Sequence, residues 1–286
     1  VVYGAPAIAM PIHKGMTLTL VEGRAVGQLC LSFDNGETVI ASQPAGSALS
    51  KMLDYLRLKF PAVFNGATVL VKSEIPTSAG LGSSAALSVG LLRLAHLAVD
   101  LTEYRPQKLF DDAMVLETFF HGNPSGIDHA AVIAGELIRF QNWPEGAPHW
   151  RALNSTKMPR IVIAFAGKHE GTQKAVSALG ARARLERKWF EGRLEEISAI
   201  TTEMEKAIES NDAKLMGALF DANQRVLKDF GVSTPHIDLI CSKAKEAGAY
   251  GAKLTGAGCG GAVLAVVPSD KVKDVTGCLA QFATIL

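Results

Sequence analysis

Pro76-Thr77-Ser78-Ala79-Gly80-Leu81-Gly82-Ser83-Ser84-Ala85-Ala86 is the stretch on which the reading of this chain turns. Before it, residues 67–75 alternate and are rich in β-branched residues, which predicts a strand. After it, residues 85–99 form an apolar run with helical character. A strand, a glycine loop and a helix therefore follow one another. Gly80 and Gly82 let the backbone approach a bulky anion, and Ser83-Ser84-Ala85 opens a helix whose first N–H groups have no acceptor within it. The partial positive charge there suits phosphate. The same residues also fit a plain glycine turn with a serine N-cap. No GxxxxGK[ST] string occurs in the chain, which excludes a Walker-type loop.

On the N-terminal side, residues 25–33 read as a strand ending at the turn signal Asp34-Asn35-Gly36. Residues 47–60 carry Leu49, Met52, Leu53 and Leu56 at helical spacing and stop before Pro61. On the C-terminal side, Arg105-Pro106 restarts a helix that is expected to reach residue 120. Residues 121–126 form a Gly/Pro-crowded loop, and residues 130–140 read as strands broken at Gly135. Residues 141–159 are polar and proline-rich, the expected boundary between one lobe at residues 1–155 and another at 156–286. The second lobe reads as a strand at 160–166, several helices within 172–248, a second glycine loop at 253–261 and a closing strand at 262–267. This order predicts an α+β protein of two lobes.

Composition narrows the function. The 286 residues carry 29 basic and 28 acidic side chains, a net charge of +1, so nothing draws the chain to nucleic acid or to an anionic membrane. A hydrophobic content of 48% with 20% charged residues excludes a disordered chain. Apolar runs end well short of the ~20 residues a bilayer needs. Cys30, Cys241, Cys259 and Cys278 form no CxxC pair, which argues against zinc and for reduced thiols in a cytoplasmic protein. The chain opens at Val1-Val2-Tyr3-Gly4 without an initiator methionine, and further residues are expected upstream.

Two other constellations could carry chemistry. Glu117 is followed eleven residues later by Asp128, across His121-Gly122-Asn123-Pro124-Ser125-Gly126-Ile127. Glu117 near a helix C-terminus opposes the macrodipole and needs an offsetting charge, which Mg²⁺ could provide. Asp128, expected to be partly buried, is a candidate general base. A solvated helix-end Glu and a capping Asp would give the same pattern. The last constellation is Lys253-Leu254-Thr255-Gly256-Ala257-Gly258-Cys259-Gly260-Gly261. It satisfies GxGxxG formally, but an apolar strand follows where a dinucleotide site needs a helix, so NAD binding is rejected. Cys259 reads as a small filler, since only Lys253 lies near as a base.

Taken together, these three stretches resemble the GHMP kinase superfamily. Residues 76–86 resemble its phosphate loop and residues 253–261 its C-terminal glycine motif, with Cys259 where a glycine is frequent. Glu117 with His121-Gly122-Asn123-Pro124-Ser125-Gly126-Ile127-Asp128 most resembles the superfamily's mevalonate kinases. The resemblance implies a two-lobed GHMP fold, with an N-terminal lobe like ribosomal protein S5 domain 2 and a ferredoxin-like C-terminal lobe. It implies transfer of phosphate from ATP to the C5 hydroxyl of mevalonate, in the cytoplasm and often by a homodimer. It places Gly80, Leu81, Gly82, Ser83 and Ser84 around the ATP phosphates, Ser84 and Glu117 on Mg²⁺, and Asp128 beside the reacting hydroxyl as base or as charge stabiliser. Thr172, Gly256 and Ala257 fall on the substrate and phosphate side of the cleft. Mevalonate kinases also carry a Lys-bearing strand and a Gly-Glu-His-Ala segment before Val-Val-Tyr-Gly, which are expected upstream of Val1. Another GHMP small-molecule kinase, for phosphomevalonate or a sugar, and a non-catalytic ligand sensor are the alternatives.

Overall fold

The structure, a computed structural model, describes residues 1, 3–22, 29–33, 35–40, 47–76, 79–98, 105–120, 124–142, 148–154, 157–167 and 172–286. The side chains of residues 22, 39, 40 and 172–176 lie outside that description.

In the N-terminal half, strands β1 (Ala7–Ala9), β2 (Met16–Glu22), β3 (Leu29–Phe33) and β4 (Thr38–Ile40) precede helices α1 (Ala48–Lys59) and α2 (Pro61–Phe64) and strand β5 (Ala67–Ser73). The order of the first sheet is β2-β5-β3-β4, antiparallel except for the β3–β5 pair. A parallel pair needs a crossover rather than a hairpin, and the segment through α1 and α2 makes it. Ala67, Val69 and Val71 of β5 point inward while Leu70 and Lys72 point out, the period of two read from the sequence. Ser47 caps α1 by accepting the Ser50 N–H, and Met52, Leu53 and Leu56 face the core.

Helices α3 (Ser83–Ala98), α4 (Pro106–Glu117) and α5 (Ile127–Ala134) follow, then β6 (Ile138–Gln141) and β7 (His149–Ala152). Leu87, Leu91 and Leu92 of α3 share one apolar core with Leu109, Phe110 and Leu116 of α4 and with the inner face of the first sheet. The expected strands at 130–140 are corrected: residues Ile127–Ala134 are helical, and only Ile138–Gln141 is a strand. The apolar run there has no period of its own. Two left-handed glycines, Gly126 (φ +82°) and Gly135 (φ +68°), bracket a helix, the second ending it as a C-terminal glycine does. Within the expected boundary region, β7 folds back on β6, and β6 also pairs with β1 to complete a second sheet, β1-β6-β7.

The C-terminal half contains β8 (Arg160–Phe165), α6 (Thr172–Leu185), α7 (Arg187–Glu209), α8 (Ala213–Asp229), α9 (Pro235–Glu246), β9 (Gly251–Thr255), β10 (Ala262–Val267), α10 (Val272–Leu279) and β11 (Thr284–Ile285). Its antiparallel sheet runs β11-β8-β10-β9, so the strand expected to close the chain is an inner one. Strand β9 lies at the edge, where open N–H groups invite unwanted pairing. Here α8 covers them: Ala252 N–H donates to Asp221 Oδ1 at 3.0 Å and Leu254 N–H to Gln224 Oε1 at 2.9 Å.

The two halves meet across a small apolar cluster of Leu153, Ala207, Ile208, Met216 and Val266, with Ile8 and Leu137 packed on it. Glu205 of α7 pairs with Arg139 and Arg151 of the second sheet, and Thr201 donates to the Pro6 carbonyl at 3.2 Å.

Candidate active site

Local sequence shapes the first glycine loop. Gly80 (φ +69°) and Gly82 (φ +71°) adopt left-handed backbone, which a side chain would oppose. Helix α3 starts at Ser83, where Ser83-Ser84-Ala85 is expected to open it, and its opening hydrogen bond runs from Ala86 N–H to Gly82 O at 2.9 Å. The N–H groups of Ser83, Ser84 and Ala85 therefore find no acceptor within the helix. Thr77 and Ser78 lie outside the described residues.

Behind this loop, Ser84 Oγ donates to Glu117 Oε1 at 3.3 Å. Glu117 is the last residue of α4 and is only 6% exposed. Its other oxygen, Oε2, lies 3.2 Å from His129 Nε2, and His129 is 1% exposed. A carboxylate at a helix C-terminus is disfavoured by the dipole, and the Ser84 hydroxyl offsets part of that.

Asp128 stands in the first turn of α5, where the dipole favours a carboxylate. The expectation of partial burial is corrected: Asp128 is exposed. The cause is Gly126, on which a methyl group would lie 2.6 Å from Phe110 Cζ. The loop rests on α4 at that point, and the helix starts with Asp128 turned outward. A methyl group on Gly82 would lie 3.5 Å from Asp128 Cβ and 3.6 Å from Cγ, so the Asp128 carboxyl sits against that glycine loop.

The second glycine loop arrives from the other half. A methyl group on Gly256 would lie 3.0 Å from Gly80 O, so the two loops touch through backbone. Gly256 and Ala257 are exposed at this contact. Gly258 is pressed against Val232, whose carbonyl accepts the Cys259 N–H at 2.8 Å. Strand β10 follows, as the rejection of NAD binding requires. Burial pushes the Cys259 thiol up, which suits a filler rather than a nucleophile. Lys253 does not serve it as a base. Its Nζ donates to Leu254 O at 2.6 Å, and burial lowers it to about 8.

Gly80, Gly82, Ser83, Ser84, Glu117, Asp128 and Gly256 are thus gathered at one place. Thr172 opens α6, but its side chain lies outside the described residues. His121, Gly122 and Asn123 also lie outside them. Sequence reasoning missed His129. Reading residues 127–134 as a helix would have flagged it, because neighbours on a helix point about 100° apart and so reach different partners.

Residues 47–136 match the GHMP kinases N-terminal domain and residues 204–283 the GHMP kinases C-terminal domain. The mevalonate kinase of Thermococcus gammatolerans is 30% identical over 96% of this chain and 87% of its own length. This chain belongs to the mevalonate kinase family of GHMP kinases. Solved structures agree on the fold. The L. major mevalonate kinase, crystallised with R-mevalonate, superposes with a TM-score of 0.82 at 23% identity, covering 99% of this chain and 88% of that one. The Streptococcus pneumoniae phosphomevalonate kinase, solved with phosphomevalonate and AMPPNP, reaches 0.80 at 15% identity, covering 99% and 92%. The backbone alone therefore does not separate mevalonate kinases from their phosphomevalonate relatives.

A mevalonate kinase family member is an ATP-dependent enzyme, and the Ser84 hydroxyl and the Glu117 carboxylate put oxygen donors behind the first glycine loop. Among the described residues no group of three or more His, Cys, Asp or Glu could hold a metal. One hydroxyl and one carboxylate, Ser84 and Glu117, are nonetheless the donor set that fits Mg²⁺, which completes its shell with water and substrate phosphate. Among the described residues no helix is long and apolar enough to cross a membrane.

Proposed function

We propose that the protein transfers the γ-phosphoryl group of ATP to the C5 hydroxyl of mevalonate, yielding 5-phosphomevalonate and ADP. The observation that carries this is the seat of the Asp128 carboxyl against Gly82, beside the N-terminus of helix α3, which would take the phosphates. Phosphoryl transfer demands positioning and charge stabilisation more than covalent help from the protein. The N–H groups at the start of α3 and the backbone of Gly80, Leu81, Gly82, Ser83 and Ser84 hold the phosphates. Mg²⁺ bound by Ser84, Glu117 and phosphate oxygens would neutralise charge on the transferring group. Asp128 accepts the proton of the C5 hydroxyl as the oxygen attacks phosphorus, and the leaving electrons stay on ADP.

Gly256 and Ala257 bring backbone to the far side of the phosphates, and Thr172 belongs to the substrate side of the cleft. The division at residues 1–155 and 156–286 would assign the chemistry to the first lobe and the covering loop to the second. A cytoplasmic location is part of the proposal, and the four free thiols support it. A homodimer is its proposed state.

The acceptor is tested by coupled ADP release from the full-length protein with mevalonate, phosphomevalonate and galactose. The expected kcat/KM for mevalonate exceeds the others by ~100-fold or more, the discrimination open to a site that hydrogen-bonds its substrate. A higher value for another acceptor would reassign the substrate within the superfamily.

A further inference from the structure

His129 takes no part in the phosphoryl transfer itself, yet it is one of the most deeply placed polar side chains of the described residues. It is 1% exposed, next in sequence to Asp128, and its Nε2 lies 3.2 Å from Glu117 Oε2. The Nε2 atom is fully enclosed and makes no in-line hydrogen bond with a described residue. An imidazole in such a place costs desolvation that a leucine of similar volume would avoid. The arrangement around Glu117 gives the group a use. Oε1 accepts from Ser84, on the phosphate-loop helix, while Oε2 faces His129, on the helix that carries Asp128. One carboxylate is thus held between the two elements that bear the rest of the site. Its two oxygens are given different neighbours.

We propose that His129 is a positioning residue for the metal-binding carboxylate: Nε2–H holds Glu117 Oε2 so that Oε1 and the Ser84 hydroxyl face the cation together. This rests on the assignment of Mg²⁺ to Ser84 and Glu117. Outer partners of this kind orient a ligand and typically govern about 10–100-fold of metal affinity. Such contacts are often poorly aligned until the site is loaded, which accounts for the off-line angle. The consecutive placement of Asp128 and His129 has a further consequence. A single helical turn sets both the acceptor-side carboxylate and the metal-side carboxylate, so the two cannot shift independently.

The test measures Mn²⁺ binding to the full-length protein with ADP by electron paramagnetic resonance, alongside Tm and the KM for mevalonate. In His129→Leu, Mn²⁺ affinity is expected to fall about 10–100-fold, while the mevalonate KM holds and Tm is unchanged or higher. His129→Gln, whose amide reaches the same oxygen, restores most of the affinity. Should His129→Leu fail to fold, His129→Asn replaces it, with an amide one methylene too short. Wild-type affinity in the Leu or Asn variant overturns the proposal, as does a Gln variant no better than either. Glu117→Gln separates the two layers. If it leaves Mn²⁺ binding unchanged, the metal assignment itself falls and this inference with it. If it weakens binding while His129→Leu does not, only the positioning role is lost.

Discussion

Two glycine-rich loops meet at the site, and they use glycine for different ends. The loop at Gly80 and Gly82 runs into helix α3, so its glycines bend the chain toward unpaired N–H groups and leave space for the Asp128 carboxyl. The loop at Gly256 and Gly258 runs into strand β10, and its glycines are where backbone presses on backbone, at Gly80 and at Val232. The first loop sits among side chains that can act on charge. The second contributes close approach, and across residues 256–261 its ionisable side chain is Cys259, whose thiol burial pushes up. The element that succeeds a glycine motif, helix or strand, therefore says more about its use than the spacing of its glycines.

That contrast can be broken by mutation. The largest expected effect is in the first loop's neighbourhood: Asp128→Asn should lower kcat by ~10²–10⁴ while the ATP Kd stays near that of the wild type. Near-normal turnover would remove Asp128 from the chemistry. In the second loop the effect should be on folding. Gly258→Ala places a methyl group 2.3 Å from the Val232 carbonyl oxygen at φ +80°. The variant should lose about 2–4 kcal/mol in urea unfolding. If it folds normally but turns over slowly, the second loop acts on chemistry directly. The smallest effect is a gain. Cys259 holds φ +57°, which a side chain opposes, so Cys259→Gly should add roughly 0.5–1 kcal/mol with kcat unchanged.

The same contrast explains what could be read from the sequence. The Gly80–Ser84 loop was legible because strand, glycine loop and apolar helix signal themselves locally. The second loop was legible for a similar reason, since Ala-Val-Leu-Ala-Val-Val cannot be taken for the helix of a dinucleotide site. The segment from Ile127 to Ala134 was not legible, because an apolar run without period fits a strand or a short buried helix equally. That one ambiguity hid both the exposure of Asp128 and the existence of the His129–Glu117 pair. The second sheet was hidden for another reason. Its three strands, Ala7–Ala9, Ile138–Gln141 and His149–Ala152, are short, and the first pairs with a partner about 130 residues away.

The central claim is that the two loops close on the same phosphates. Hydrogen exchange of the full-length protein, with and without Mg²⁺ and a non-hydrolysable ATP analogue, tests it most directly. The account predicts that nucleotide slows exchange together at the amides of residues 80–86 and of residues 256–258. Protection of the first set with no change in the second would contradict it, and would leave the C-terminal loop a packing element beside the site.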